Sequence, residues 1–184
     1  LTAPNGSAQR TLLLVAISRM GLSPVEVGWS EAHGTGTGLG DPTEVGALTG
    51  VHSSPERAAP LAVGAAKANV GHSEAVSGQV DLLRGSRKAQ GLLACGNAHL
   101  RLLNPLVGDR LGSCSGRIML PQQAAASRLA FGVSSFGFSG TISHVLAAAS
   151  ALRQGMRDDM LASRSGTRRV AYKRRALTWL EVAS

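Results

Sequence analysis

Three short stretches carry side chains able to do chemistry, and each is set among glycines. The first is Glu31-Ala32-His33-Gly34-Thr35-Gly36-Thr37-Gly38-Leu39-Gly40-Asp41-Pro42-Thr43-Glu44. Its glycines let the backbone take unusual torsions and let a ligand come close to a histidine and two threonine hydroxyls. The second is Lys67-Ala68-Asn69-Val70-Gly71-His72-Ser73-Glu74, again a Gly-His turn. The third is Phe136-Gly137-Phe138-Ser139-Gly140-Thr141, a glycine-rich corner holding two of the chain's three phenylalanines. Taken alone, His33 reads equally as a structural histidine in a tight turn. Two histidines on separate strand-to-helix turns, however, can converge on one pocket. Imidazoles donate hydrogen bonds to a developing enolate or move protons at neutral pH. Helix N-termini and turn amides add donors for an oxyanion, and the Thr35 and Thr37 hydroxyls suit a polar ligand chain. The set favours acyl or carbon–carbon chemistry.

Competing chemistries lack their motifs. Counted from Gly34, the last glycine of a GxGxxG would fall on Leu39, and no GxxxxGK[ST] or GxSxG occurs. His33 and His72 as zinc ligands would need a third ligand at a recognisable spacing, and none is seen. Cys95 and Cys114 form no metal-site spacing and no disulfide framework, so free thiols are the expectation. Gly112-Ser113-Cys114-Ser115-Gly116 looks like a nucleophile turn, but no strand-to-helix pattern surrounds it.

The elements that must position these groups follow from pattern and punctuation. Val25, Val27 and Trp29 alternate like one face of a short strand entering the His33 turn. Asp41 as cap, Pro42 at the first helical position and Glu44 completing a capping box predict a helix of about ten residues. Ser7 is placed to cap an earlier helix running to about Met20, with Gly21 as its stop. Leu61 to Gly64 reads as a short strand. The helix after Ser73 is expected to bury Ala75, Val76, Val80 and Leu83, with Arg84, Arg87 and Lys88 on a solvated face. Residues 91–116 read mainly as loop, with a turn at Asn104-Pro105. Ile118 to Leu120 reads as a strand, and Leu129 to Leu146 as two strands joined at the third stretch.

Length and charge bound the rest. The 184 residues suffice for one domain with a sizeable core, built from small aliphatics because aromatics are only 3%. The formal charge of +8 is unevenly spread. Residues 151–184 hold eight Arg/Lys against three acids, and the first 150 hold eleven against eight. The basic excess thus lies mostly in the tail, where Arg168 to Trp179 interleaves charge with two aromatics, weak support for a nucleic-acid patch. No apolar run approaches the roughly 20 residues of a membrane span. The start, Leu1-Thr2-Ala3-Pro4, lacks a Met and signal-peptide character, so the chain reads as a piece of a longer polypeptide.

The three stretches together resemble the C-terminal half of a beta-ketoacyl synthase (ketosynthase) domain of type I polyketide synthases. The resemblance runs from Leu1-Thr2-Ala3-Pro4-Asn5-Gly6 to about Leu146, and is most specific at Glu31 to Thr37 with Leu39-Gly40-Asp41-Pro42. It implies an α/β, thiolase-like fold, here its C-terminal half as a mixed five-stranded sheet with packed helices. It further implies residues 1–150 as ketosynthase and 151–184 as a basic linker following it. The implied reaction is decarboxylative Claisen condensation of an acyl thioester with a malonyl group on an acyl carrier protein. By carry-over, His33 and His72 assist decarboxylation and stabilise the enolate and thioester oxygen, and Lys67 supports the His72 loop. Thr35 and Thr37 contact the phosphopantetheine arm. The Phe138 amide helps form an oxyanion hole while its ring gates the acyl pocket, and Phe136 lines the substrate site. Asp81 matches an acidic structural position in some members.

No cofactor or metal bound by the domain itself is implied; the phosphopantetheine arm is the substrate carrier. The implied partners are an acyl carrier protein, the N-terminal half of the domain and a second copy as a homodimer, with neither nucleic acid nor membrane. The implied location is cytoplasmic, or plastid if the full-length protein carries a transit peptide. The family's nucleophilic cysteine lies upstream of the matching region, and Ile142-Ser143-His144 replaces the more usual Asn-Ala-His. Residues 97–112 are closer to protist, particularly dinoflagellate-like, synthases. A non-catalytic ketosynthase-like scaffold that docks carrier proteins is the alternative reading.

Overall fold

The computed structural model describes residues 3–89, 96–114, 116–123 and 130–148. Cys95 and the basic tail read as a linker lie outside them.

A five-stranded mixed sheet in the order β3-β2-β1-β4-β5 forms the frame. Its strands are β1 (Val27–Glu31), β2 (Leu61–Gly64), β3 (Ile118–Met119), β4 (Ala130–Phe136) and β5 (Ile142–Ala147). β1 pairs in parallel with β2 and β4, β2 in parallel with β3, and β4 antiparallel with β5. On one face lie α1 (Gly6–Arg19) and α2 (Gly40–His52), closing over a core that includes Leu13, Ile17, Val27, Leu48, Leu61 and Val63. A smaller cluster of Trp29, Ala62, Phe131 and Val133 forms the second core, and α4 (Ser77–Ala89) packs on β4 and β1. The short α3 (Lys67–Val70) and α5 (Pro105–Leu111) complete the described helices.

Several local expectations need correction. β1 is not a one-faced strand: all five of its residues are buried, as suits a central parallel strand covered on both sides. Its register against β4 shifts between Val27 and Trp29, which sends these two side chains to different core clusters. Asn5, not Ser7, caps α1, accepting from the Ala8 N–H at 3.0 Å. Residues 105–111 are helical, not loop. Asn104 caps α5 by accepting from the Leu106 N–H at 2.9 Å, and Pro105 fills the first position.

The helix after His72 turns the opposite way from the one its apolar residues suggest. Ser77, Asp81 and Gly85 are its buried positions, while Val76, Leu82 and Leu83 are exposed. Close approach explains the choice. A Cβ at Gly78 would lie 2.8 Å from Ser135 Oγ, and one at Gly85 would enter the Phe131 ring. Small residues therefore let α4 settle on β4. Arg84 follows the same face inward, with its side chain only 13% exposed.

Candidate active site

The chemistry-bearing loops leave the C-terminal ends of β1 and β2 and the β4–β5 corner. In a parallel sheet these ends share one edge, so residues far apart in sequence meet there. The His33 and His72 rings stand edge to face with centroids 6.2 Å apart, and the Phe136 ring lies 5.2 Å from His33. His33 is half-buried and His72 is exposed.

Each imidazole is fixed by a backbone N–H on the same ring atom. Phe136 donates to His33 Nδ1 at 3.3 Å, and Glu74 donates to His72 Nδ1 at 2.9 Å. An Nδ1 that accepts carries no proton, so the neutral ring bears its N–H at Nε2. Both histidines are thus set as Nε2–H donors. Burial, then the charge of Lys67, then His72 push His33 down to about 4, so it stays neutral near pH 7. The His72 turn is strained: Glu74 has φ 46°, the one positive φ of a non-glycine among the described residues.

Asp41 and Glu44 do not form the expected capping box. The helix starts at Gly40 with Leu39 at its N-cap and no side-chain cap. Both acids instead reach back to the glycine turn. Glu44, buried, accepts from the His33 N–H at 2.8 Å and the Gly34 N–H at 3.0 Å. Asp41 accepts from the Gly36 N–H at 3.2 Å. Desolvation raises Glu44 to about 7 and raises Asp41 in the same direction. Gly34 sits at φ 46° with its Cβ position 2.6 Å from the Ala65 methyl, so a side chain is excluded there on both grounds.

The remaining expected residues are placed as follows. Lys67 Nζ lies 2.9 Å from Asp81 Oδ2, both side chains buried, and ties α3 to α4 across the His72 loop. The Thr35 and Thr37 hydroxyls are 3.3 Å apart on the open side, and Thr37 also accepts from the Gly40 N–H. The structure brings Phe136 against His33, while Phe138 at the hairpin tip is 92% exposed. Among the described residues no group of three or more His, Cys, Asp or Glu is arranged to hold a metal ion. No described helix is long and apolar enough to cross a membrane. Asn97 is a supporting residue the sequence reading passed over. Its Oδ1 accepts from the Ala65 N–H, its Nδ2 donates to the Val63 and Pro121 carbonyls, and Asn69 accepts from the Ala98 N–H. It thereby anchors the loop before Lys67. A lone Asn in a poorly patterned stretch gives no signal of that role.

The chain is similar to known proteins in sequence and in fold. Residues 1–86 match the family described as the C-terminal domain of beta-ketoacyl synthase. The chain is 39% identical over 145 residues to a non-reducing polyketide synthase of Penicillium roqueforti, covering 77% of this chain and 6% of that protein. It is 35% identical over 147 residues to the erythronolide synthase of Saccharopolyspora erythraea, covering 79% and 4%. Among solved structures, the oxazolomycin ketosynthase domain of Streptomyces albus matches with a TM-score of 0.68 and 29% identity, covering 78% of this chain and 26% of that one. The chain therefore spans only a small part of these relatives. With the thiolase-like fold and the family match in agreement, residues 1–86 belong to the beta-ketoacyl synthase family, as its C-terminal domain.

Proposed function

We propose that this chain supplies the histidine half of a decarboxylative condensation site in a polyketide or fatty-acid synthase. The observation that carries the reading is the pair of Nε2–H donors set by the Phe136 and Glu74 amides. A malonyl thioester on the phosphopantetheine arm of an acyl carrier protein enters past Thr35 and Thr37. Its Cα–carboxylate bond breaks, carbon dioxide leaves, and the electron pair forms an enolate whose oxygen accepts from His33 and His72. The enolate carbon then attacks an acyl thioester held on a cysteine outside this chain. A carbon–carbon bond forms, the carbon–sulfur bond breaks, and the thiolate leaves a 3-oxoacyl chain on the carrier. Neutral His33 suits donation to a developing oxyanion, since its proton remains in place throughout.

The exposed Leu39, Val70, Val76, Leu83 and Phe138 surround this edge and the outer side of α4. They form the surface on which the N-terminal half of the domain packs, within a homodimeric synthase. The test is release of labelled carbon dioxide from malonyl-carrier protein by a synthase containing this chain. His33→Ala or His72→Ala is expected to lower it by about 100-fold or more. Unchanged release would refute the reading. The 184-residue chain alone is expected to take no stoichiometric acyl label from an acyl thioester; stable labelling of Cys95 or Cys114 would place a nucleophile inside it.

A further inference from the structure

His72 is the exposed member of the histidine pair, and its own turn supplies only part of what holds it. Among the described residues two groups reach its Nδ1: the Glu74 N–H at 2.9 Å and the Ser77 hydroxyl at 3.3 Å. They belong to different bodies. Glu74 lies two residues along the same exposed turn, at φ 46°, and travels with the ring. Ser77 opens α4, is 3% exposed and belongs to the helix packed on β4. Because Nδ1 accepts from Glu74 it carries no proton, so the Ser77 hydroxyl is the donor in its own contact. The Ser77 lone pairs then accept from the Ser73 hydroxyl, 3.4 Å away, which orders the three groups as a chain from Ser73 through Ser77 to His72. The next residue, Gly78, brings α4 onto the strand that fixes the other histidine. A Cβ at Gly78 would lie 2.8 Å from Ser135 Oγ and 3.2 Å from Ser135 Cβ, so the helix backbone meets Ser135 with nothing between. Ser135 precedes Phe136, whose N–H donates to His33 Nδ1.

We propose that Ser77 is a positioning residue for His72, and that the seat of Ser77-Gly78 on Ser135-Phe136 sets how the two imidazoles face each other. β4 holds His33 through the Phe136 N–H, and α4 holds His72 through the Ser77 hydroxyl. The rings stand at 88° with centroids 6.2 Å apart across this joint. An imidazole on an exposed turn is otherwise free to rotate about its side-chain bonds. The Glu74 amide cannot remove that freedom relative to the sheet, since it moves with the turn. With Nδ1 tied to the helix, the direction of Nε2–H is fixed relative to β4 and so relative to His33. For an oxyanion shared by two donors, that relative direction decides whether both can reach it at once. The bearing of Ser77 on catalysis rests on the reading of His33 and His72 as the donor pair; its hold on the His72 ring does not.

The test is proton–nitrogen correlation and NOE spectroscopy of the histidine rings in the full 184-residue chain at mildly alkaline pH, comparing wild type, S77A and S77T. Wild type is expected to show His72 as the Nε2–H tautomer, with an NOE between the His72 and His33 rings. S77A should move His72 Nδ1 toward the shift of an unbonded imidazole nitrogen and lose the inter-ring NOE, while the His33 nitrogens keep their shifts. S77T keeps the hydroxyl and should restore both signals. If Ser77 serves only to start α4, S77A will lower thermal stability and leave His72 Nδ1 and the NOE as in wild type, and the proposal fails. It fails equally if wild-type His72 is the Nδ1–H tautomer, or if S77A does not fold, which would make Ser77 a residue of the fold alone. Should the extra methyl of S77T prevent folding, S77A decides by itself. In a synthase containing this chain, S77A should lower kcat for carbon dioxide release about tenfold and leave KM for malonyl-carrier protein unchanged. Wild-type release by S77A beside slow release by His72→Ala refutes the positioning role and spares the donor-pair reading. Wild-type release by His72→Ala refutes that reading and leaves the spectra to decide on Ser77.

Discussion

Glu44→Gln separates two effects that the buried carboxylate combines. When ionised, Glu44 anchors the His33 turn through two charge-assisted bonds. Its burial also raises it to about 7 from an ordinary 4.5. The folded state therefore binds a proton that the unfolded state releases between these values, and Glu44 makes the fold less stable as pH rises through that window. The gap of about 2.5 pH units, at about 1.4 kcal/mol each, comes to about 3 kcal/mol. His52 and His144 work in the opposite sense. Burial pushes each down to about 4 from 6.5, so the unfolded state binds protons first and stability falls as pH drops from 6.5 toward 4. His33, also lowered to about 4, adds to the histidine slope, and Glu44→Gln removes only the Glu44 contribution.

Gln can accept one of the two amide N–H groups but turns its own NH2 toward the other, costing about 1–3 kcal/mol. At pH 5 the variant should accordingly be less stable than wild type. By pH 8 the relief of charge burial should bring the two close together or favour the variant. Urea unfolding at intervals from pH 5 to 8 measures the difference, and amide exchange at His33 and Gly34 should quicken in the variant throughout. Parallel stability profiles for the two proteins would refute the reasoning, because they would mean that Glu44 takes up no proton on folding in this range.

Three further outcomes follow from particular contacts. Gly85→Ala drives a methyl into the Phe131 ring and should cost about 1–3 kcal/mol in unfolding free energy, the penalty of overpacking. Asn97→Ala deletes three hydrogen bonds at the root of the Lys67 loop. It should lower stability by about 2–3 kcal/mol and speed proteolysis within residues 96–101. Glu74→Gly relieves a positive φ at the His72 turn. It should leave stability within about 1 kcal/mol of wild type, because strain relief opposes the greater entropy of the unfolded chain; a loss well beyond that would mean the Glu74 side chain contributes a contact of its own.

The converging histidines were legible because each sits beside a glycine in a turn that follows a short apolar run, a pattern local enough to read from a few residues. Partners of those turns were not. Asp41 and Glu44 carry a capping signature over four residues, and nothing local reveals that their carboxylates turn back to amides five to eleven positions upstream. The same weakness works in reverse at Asn104-Pro105. Those residues read as a turn, although cap and first-position proline are also a helix start, and the structure uses them so. Alternation failed in β1 because strands covered on both faces bury every residue, and because the irregularity after Val27 changes which face comes next. The Lys67–Asp81 and Arg84–Glu31 pairs needed the packing of α4 on the sheet, which no spacing rule supplies.

That packing also explains why α4 misled. An amphipathic helix is ordinarily read with its leucines inward, and α4 presents Leu82 and Leu83 to the outside while Ser77, Asp81 and Arg84 face its own sheet. The inward side is tolerable because its charges are paired with Lys67 and Glu31 and its glycines permit contact. The outward side offers Leu82 and Leu83 to any apolar layer laid against it. A helix with paired charges on one side and leucines on the other is suited to lie between two layers, not over one. Covering it would remove the remaining water from Arg84 and from the half-open histidine pair, strengthening the electrostatics on which a neutral His33 depends. The ion set and the exposed leucines are therefore two consequences of one choice, made where Gly78 and Gly85 let α4 lie flat on β4.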